Sequence, residues 1–268
     1  MDITPFLGVK PAPCAVLDSL PARADQVRFR VRKADGSWCA VTWGDFAAQI
    51  RAAAAVLVDA GVLAGDRVAV YGANSVAWAA AALGAQAAGA VMVPIYPAST
   101  APQAAYVLGH AQCKAVFVAD ALRDRAGAAI AELPRAVQVF SLDDTTVFER
   151  GQALDRAHPA RVQMRLDAID VDQPGLMLYT SGTSGNPKGV PLTHRNVGVN
   201  GGDWLKNNAD LLEGDYRDLL WLPMSHIFGF GQMCTGNILG WETWMTTPQD
   251  ALALMPEVAP HVFFSVPA

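Results

Sequence analysis

Apolar residues recur at Phe46, Ile50, Ala54 and Leu57 with helical spacing. Thr42 precedes them as an N-cap with Asp45 three residues on, and Gly61 closes the segment, so the pattern predicts a helix from Trp43. Gly65-Asp66 marks a turn, Arg67 to Tyr71 a buried strand, and Gly72-Ala73-Asn74-Ser75 a turn into a helix from Val76 to about Ala88. The alternation goes on with a strand at Val91–Ile95 and a helix from Thr100, its N-cap, to His110. Strands follow at Ala115–Val118 and Val137–Phe140. Strands spaced by such helices imply βαβ units with parallel sheets, an α/β fold. Asp143 to Gln173 is polar and weakly patterned, which predicts a connection between subdomains. Gly175 to Tyr179 predicts another strand, Thr193 the cap of a helix with His194, Arg195 and Asn196 in its first turn, and Leu219 to Leu222 a further strand. That strand delivers Pro223 to Gly229 to a strand end, where α/β proteins place ligands. Val262 to Pro267 predicts a last strand. The expected division is a first α/β subdomain over 1–174, with a lead segment, and the start of a second over 175–268.

Composition narrows the function classes. The chain has 268 residues, of which 52% are hydrophobic, enough for a sizeable core in one or two domains. A net charge of −5 and no Lys/Arg cluster argue against a nucleic-acid partner. Cys14, Cys39, Cys113 and Cys234 are scattered with no C-x-x-C pair, which speaks against a zinc site and fits a reducing cytosol. The first residues carry no basic region followed by an apolar run. The longest apolar stretch, Val76 to Val93, is rich in Ala and Gly and contains Gln86; it predicts a buried helix running into a buried strand rather than a membrane span. Abundant Ala and a preference for Arg over Lys suit a GC-rich bacterial genome, and the expected location is the cytoplasm, with at most peripheral contact with the inner membrane.

The segment Leu178-Tyr179-Thr180-Ser181-Gly182-Thr183-Ser184-Gly185-Asn186-Pro187-Lys188-Gly189-Val190 carries the chemistry. Its glycines let backbone N–H groups turn inward, its hydroxyls add hydrogen bonds, and Lys188 adds a positive charge on a flexible stem; together they suit an anionic phosphate. It is not a Walker A loop, because Pro187 stands where that pattern needs its second Gly and Gly189 follows Lys188. A P-loop kinase or ATPase is thereby excluded, and the dinucleotide fingerprint is absent too.

The segment closely resembles the phosphate-binding signature of the adenylate-forming (AMP-binding) enzymes, the superfamily of acyl-CoA synthetases, peptide-synthetase adenylation domains and luciferases. It departs from the usual Y-T-S-G-T-T-G-x-P-K-G-V only at Ser184, where Thr is commoner. Leu192-Thr193-His194-Arg195-Asn196, the Leu222–Gly229 stretch, Gly65–Ala69 and Gly89–Pro94 resemble further segments of that family, and Phe263–Pro267 is similar to long-chain fatty-acyl-CoA synthetases in particular. The likeness runs from about Asp25 onward. It implies a ligase that joins a fatty acid to ATP as an acyl-adenylate and then forms a thioester with coenzyme A. The substrates are then a fatty acid, ATP and coenzyme A, with Mg²⁺ as cofactor.

The resemblance also assigns roles. Thr180 corresponds to a hydroxyl on Mg²⁺ or a phosphate, and Ser181, Gly182, Thr183, Ser184 and Gly185 to the phosphate-cradling turn. Lys188 corresponds to the lysine on the β/γ-phosphates, and His226 to a residue bordering the acyl pocket beside the reacting carboxylate; a hydrogen-bonded core histidine is its alternative. Trp221, Phe228, Phe230 and Met233 are candidates for an acyl tunnel or for plain core. His194 reads as a helix-start polar residue, and His110, His158 and His261 have no supporting pattern. The family's Y-G-x-T-E motif, ribose-binding Asp, hinge and small C-terminal domain are not in the sequence. The expectation is an N-terminal portion of a long-chain fatty-acyl-CoA synthetase, inactive or nearly so alone, with an apolar cut surface prone to self-association. A fatty-acyl-AMP ligase that loads a carrier protein, and a non-catalytic nucleotide-binding or interaction module, are the alternatives.

Overall fold

The computed structural model describes residues 2–180, 186–211 and 216–266. The chain enters through two short helices, α1 (Ala12–Leu17) and α2 (Leu20–Arg23), each with a proline in its first turn, where the missing N–H has no intrahelical partner to lose. An antiparallel hairpin follows, β1 (Val27–Arg32) and β2 (Trp38–Thr42). Thr42 then starts α3 (Trp43–Asp59) through a capping box with Asp45. The predicted alternation is present as β3 (Arg67–Tyr71), α4 (Val76–Ala87), β4 (Val91–Ile95), α5 (Ala101–His110) and β5 (Ala115–Val118), then α6 (Arg123–Ala131) and β6 (Gln138–Ser141). After these come α7 (Thr145–Ala157), α8 (Pro159–Asp167), β7 (Pro174–Thr180), β8 (Lys188–Thr193), α9 (His194–Asn208) and β9 (Arg217–Leu220). The last described elements are α10 (Ile227–Leu239), β10 (Glu242–Met245) and α11 (Ala251–Val258).

The strands form two mixed sheets, one of order β6-β5-β3-β4-β7-β8 and one of order β2-β1-β10-β9. Neighbours are parallel except at β1–β2 and β7–β8. Both sheets draw strands from either side of residue 174. The larger sheet is covered on both faces, which is why β3, β4 and β5 are continuous apolar runs. Its alternating residues point to different cores. Val68, Val70 and Phe117 meet α3 and α4, while Ala69, Tyr71, Val116 and Val118 meet α5 and α6. The core around α3 and α4 continues to Phe29, Leu220 and Met245 of the smaller sheet, and Leu219 on the opposite face packs with α11. The layers therefore run helix, sheet, helix, sheet, helix. The Val76–Val93 stretch is α4 and β4, buried between them. No helix among the described residues is long and apolar enough to cross a membrane.

Three expectations need correction. Asp143 to Gln173 holds two helices rather than an unpatterned connection. Both helices are polar overall, which hides their narrow apolar stripes of Val147, Phe148 and Leu154 and of Val162 and Leu166. Gly151, at the middle of α7, meets the backbone of α3: a Cβ there would lie 2.2 Å from the Ala52 carbonyl oxygen. The expected strand from Val262 does not form among the described residues 263–266. Val262 makes one parallel bridge to Asp218, and beyond it aromatic packing takes over. Phe263 stacks on Trp221, whose indole N–H donates to the Phe264 carbonyl at 2.9 Å. The strand expected at Leu219–Leu222 is shifted, running from Arg217 to Leu220.

Candidate active site

β4 and β7 run parallel and end at the same edge of the larger sheet, and the loop after β9 arrives beside them from the smaller sheet. Between these ends lies a cleft of about 470 Å³, bordered by Ile95, Gln103, Tyr179, Pro187, Ser225 and His226. This is the strand-end position at which α/β sheets bind ligands. A second cavity of about 290 Å³, bordered by Asn74, Trp221, Pro223 and Thr246, shares Tyr96 and Ala98 with it.

The phosphate-loop segment is a hairpin, β7 paired antiparallel with β8. The sequence reading placed Lys188 to Val190 in the loop, whereas they begin β8, which contains Gly189 and Pro191. The strand is an edge strand, where a proline removes no ladder bond that matters. Thr180 and Lys188 are opposite each other on the last rung of the ladder, and both are exposed, so a hydroxyl and an ammonium leave the hairpin together. Ser181, Gly182, Thr183, Ser184 and Gly185 lie outside the described residues. Tyr179 lies one rung earlier, opposite Gly189. Burial pushes its phenol up to about 12, so it stays protonated and able to donate.

His226 borders the cleft and is exposed, so it is not a core histidine. It is the N-cap of α10, where its Nδ1 accepts from the Phe228 N–H at 3.3 Å. A neutral ring held this way carries its proton on Nε2. Gly229 is required one turn on, because a Cβ there would lie 2.4 Å from the Pro223 carbonyl oxygen. The loop can fold back over the start of α10 only without that atom. Beside His226, the buried Ser225 Oγ has no hydrogen-bond partner among the described residues.

Two groups that sequence reasoning missed hold this loop. Asn74, read as a turn residue, donates its amide to the Leu222 carbonyl and accepts from the Met224 N–H, both at 2.8 Å. Behind α10 lies a buried polar network. Arg28 of β1 donates to Asn237 Oδ1 at 2.8 Å, to the Met233 and Trp241 carbonyls and to the Thr243 hydroxyl. Thr243 in turn donates to Asp218 at 2.5 Å, and Gln232 donates to the other Asp218 oxygen at 2.9 Å. Burial pulls the Arg28 guanidinium down to about 10 and pushes the Asp218 carboxyl up.

The remaining candidates are placed as follows. Phe230 and Met233 are fully buried in the core between the sheets. Trp221 borders the second cavity, and Phe228 meets Phe264 edge to face. His194 is buried at the start of α9, away from the cleft, and desolvation pulls it down to about 4. His110, which had no supporting sequence pattern, is 2.7 Å from the Tyr179 hydroxyl through Nδ1. No group of three or more His, Cys, Asp or Glu among the described residues could hold a metal ion.

Comparison with known proteins agrees with this architecture. The chain is 36% identical over 208 residues to the long-chain-fatty-acid–CoA ligase FadD15 of Mycobacterium bovis, covering 73% of this chain and 33% of that protein. It is 33% identical over 198 residues to the sulfoacetate–CoA ligase of Cupriavidus necator, covering 71% of this chain and 36% of that protein. The chain thus spans about a third of the length of these curated relatives. In fold it resembles the N-terminal domain of FACL13 from Mycobacterium tuberculosis, with a TM-score of 0.70 at 22% identity over 92% of this chain and 60% of that one. The profile of the AMP-binding enzyme family matches residues 21–268, and the chain belongs to that family.

Proposed function

We propose that this chain supplies the phosphate-binding hairpin and one wall of the acyl site of a ligase that activates a fatty acid, long-chain by preference. ATP converts the acid to an acyl-adenylate, and coenzyme A then takes the acyl group as a thioester. The observation that carries this reading is the Thr180–Lys188 rung, each residue next in sequence to one that borders the cleft, Tyr179 and Pro187, with His226 bordering that cleft from the other sheet.

The carboxylate attacks the α-phosphorus, the bond to the bridging oxygen breaks, and pyrophosphate leaves with that electron pair. Both reactants are anions, so the protein's task is to hold them in line and offset their repulsion. Lys188 would neutralise part of the β/γ-phosphate charge, with Thr180 as a neutral partner. Nε2–H of His226 and the unpartnered Ser225 hydroxyl are the donors nearest to hand for the acid or the acyl-phosphate oxygens. In the second half-reaction the thiol sulfur bonds to the acyl carbon and AMP leaves.

Mg²⁺, when bound, would supply charge neutralisation on the phosphates. Such ions come largely coordinated by phosphate and water. The described residues offer the Thr180 hydroxyl to such an ion but no carboxylate cluster. ATP and coenzyme A are cytoplasmic metabolites, which favours a cytoplasmic reaction. A lipid substrate would account for any contact with the inner membrane.

Long-chain acids are favoured by the FadD15 relative, whereas the sulfoacetate–CoA ligase bears a short, charged acid in its name. The test offers carboxylic acids of increasing length, with sulfoacetate alongside, to the complete ligase, and follows pyrophosphate release with and without coenzyme A. Release and acyl-CoA formation that rise with chain length are expected. Release without acyl-CoA identifies an AMP-ligase, and a chain 1–268 that fails to bind ATP sinks the nucleotide reading.

A further inference from the structure

Both stems of the phosphate hairpin are tied to one helix. Tyr106 on α5 donates its hydroxyl to the Pro187 carbonyl at 3.0 Å, at the residue before β8. One turn along the same face, His110 Nδ1 is 2.7 Å from the Tyr179 hydroxyl, at the end of β7. The Tyr179 hydroxyl and His110 Nδ1 share one hydrogen bond, whose direction follows the imidazole tautomer. The three rings also pack together. Tyr106 stacks on His110 with centroids 5.4 Å apart, and Tyr179 meets both edge to face. Gly189, the partner of Tyr179 across the ladder, leaves room for this ring, since a Cβ there would lie 3.2 Å from its hydroxyl end.

The two anchors flank the rung on which Thr180 and Lys188 face each other. β8 is an edge strand and much of it is exposed, so its ladder end has little else to hold it. α5 is by contrast well fixed: Thr100 and Gln103 form a capping box, and Ala104, Ala105, Val107 and Leu108 are buried. Gln103 and Val107 of the same helix border the cleft. One rigid element thus touches both hairpin stems and the cleft wall.

We propose that Tyr106 and His110 are positioning residues that hold the two stems of the hairpin in register, so that Thr180 and Lys188 present to a single polyphosphate. This role rests on the nucleotide-binding reading above. The two residues act through Tyr179 and Pro187, so their loss should cost affinity for ATP without loss of fold.

The test uses the 268-residue chain with Tyr106→Phe, His110→Leu and His110→Asn. An Asn amide can stand where Nδ1 does and offers both a donor and an acceptor, so it restores the bond to Tyr179 in either direction, which Leu cannot. Amide hydrogen exchange is read at Thr180 and at Lys188 to Val190, alongside thermal melting and equilibrium binding of ATP with Mg²⁺. Tyr106→Phe and His110→Leu should speed exchange at the ladder end by about threefold to tenfold, the worth of one net hydrogen bond. They should weaken ATP binding to a similar extent, with melting nearly unchanged, and His110→Asn should recover both. Unchanged exchange, or exchange that rises evenly over the whole chain, overturns the proposal. Faster exchange with undiminished ATP affinity, or no recovery with Asn, overturns it as well. If the unaltered chain binds no ATP, it is the nucleotide-binding reading of these residues that falls, and the exchange results alone then decide whether α5 holds the hairpin.

Discussion

Asn74 grips the backbone of Met224 across 150 residues of sequence, accepting its N–H while donating to the carbonyl of Leu222. Asn74 follows β3 in the larger sheet, and Met224 lies in the loop after β9 of the smaller one. One primary amide therefore sets where the second sheet presents Ser225 and His226. Asn74→Ala would leave both backbone groups short of a partner. We expect it to cost about 1–3 kcal/mol, the penalty for orphaning buried polar groups. Asn74→Asp keeps the acceptor and loses the donor, so it should fall between the two. Urea denaturation midpoints check the order.

The buried Arg28 and Asp218 are each 0% exposed and share Thr243 as a bridge. Removing one charge strands the other. Arg28→Met should destabilise by about 3–5 kcal/mol, and Arg28→Met with Asp218→Asn should recover part of that loss. A double-mutant cycle in guanidinium chloride measures the coupling. Additive single effects would show that the two charges are independent.

Gly151 fits α7 against α3 at the Ala52 carbonyl. Gly151→Ala would normally favour a helix by relieving backbone entropy, by about 1 kcal/mol. Here it should destabilise instead, by about 1–3 kcal/mol, because the new methyl must drive the two helices apart. A thermal melt that rises rather than falls would contradict this contact.

How much of this was legible in the sequence depends on how local each cause is. Thr42, Thr100 and Thr193 were readable as caps because each works within three residues, on Asp45, Gln103 and Asn196. β3, α4 and β4 were readable because burial on all sides writes itself as unbroken apolar runs. α7 was not, since it is polar overall and only the narrow stripe of Val147, Phe148 and Leu154 faces the core. β1 and β2 were missed although β1 alternates Arg with Val and Phe, because Arg28 on its buried face is offset only by distant partners, and β10 gains its stability from pairing with β1, far back along the chain. At the site, Lys188 and the hydroxyl-rich loop stood out by chemistry, while Thr180 and His226 were singled out by resemblance to the AMP-binding enzymes. Asn74, Tyr106 and His110 act through partners more than 60 residues away, and no local pattern marks them.

His194 gives a pH signature. Burial depresses its folded value to about 4, against an ordinary value of 6.5, so the unfolded chain takes up a proton first as pH falls. Stability should therefore be unaffected above about pH 7 and decline between 6.5 and about 4, by about 3 kcal/mol in all. Asp218, raised by burial, works in the opposite direction, so the comparison must be internal. His194→Gln should flatten the decline relative to the unaltered chain. Equal slopes in urea titrations between pH 7 and pH 4.5 would rule out His194 as the source.

His226 borders the cleft and Lys188 follows Pro187 at its border, but the two should fail differently. Lys188 would meet the phosphates in the ground state as well as in the transition state. Lys188→Ala should weaken ATP binding by about tenfold to a hundredfold, the usual range for a charge-assisted contact. That loss should shrink as salt rises, because the side chain is exposed and screened. His226 sits where the acid would react, so His226→Ala should leave ATP affinity of the 268-residue chain nearly intact. In the complete ligase the same change should lower the rate of pyrophosphate release. If His226→Ala weakened ATP binding as much as Lys188→Ala does, the cleft would be a nucleotide pocket throughout. The acid would then have to enter elsewhere, with the neighbouring cavity beside Trp221 and Asn74 as the nearest candidate.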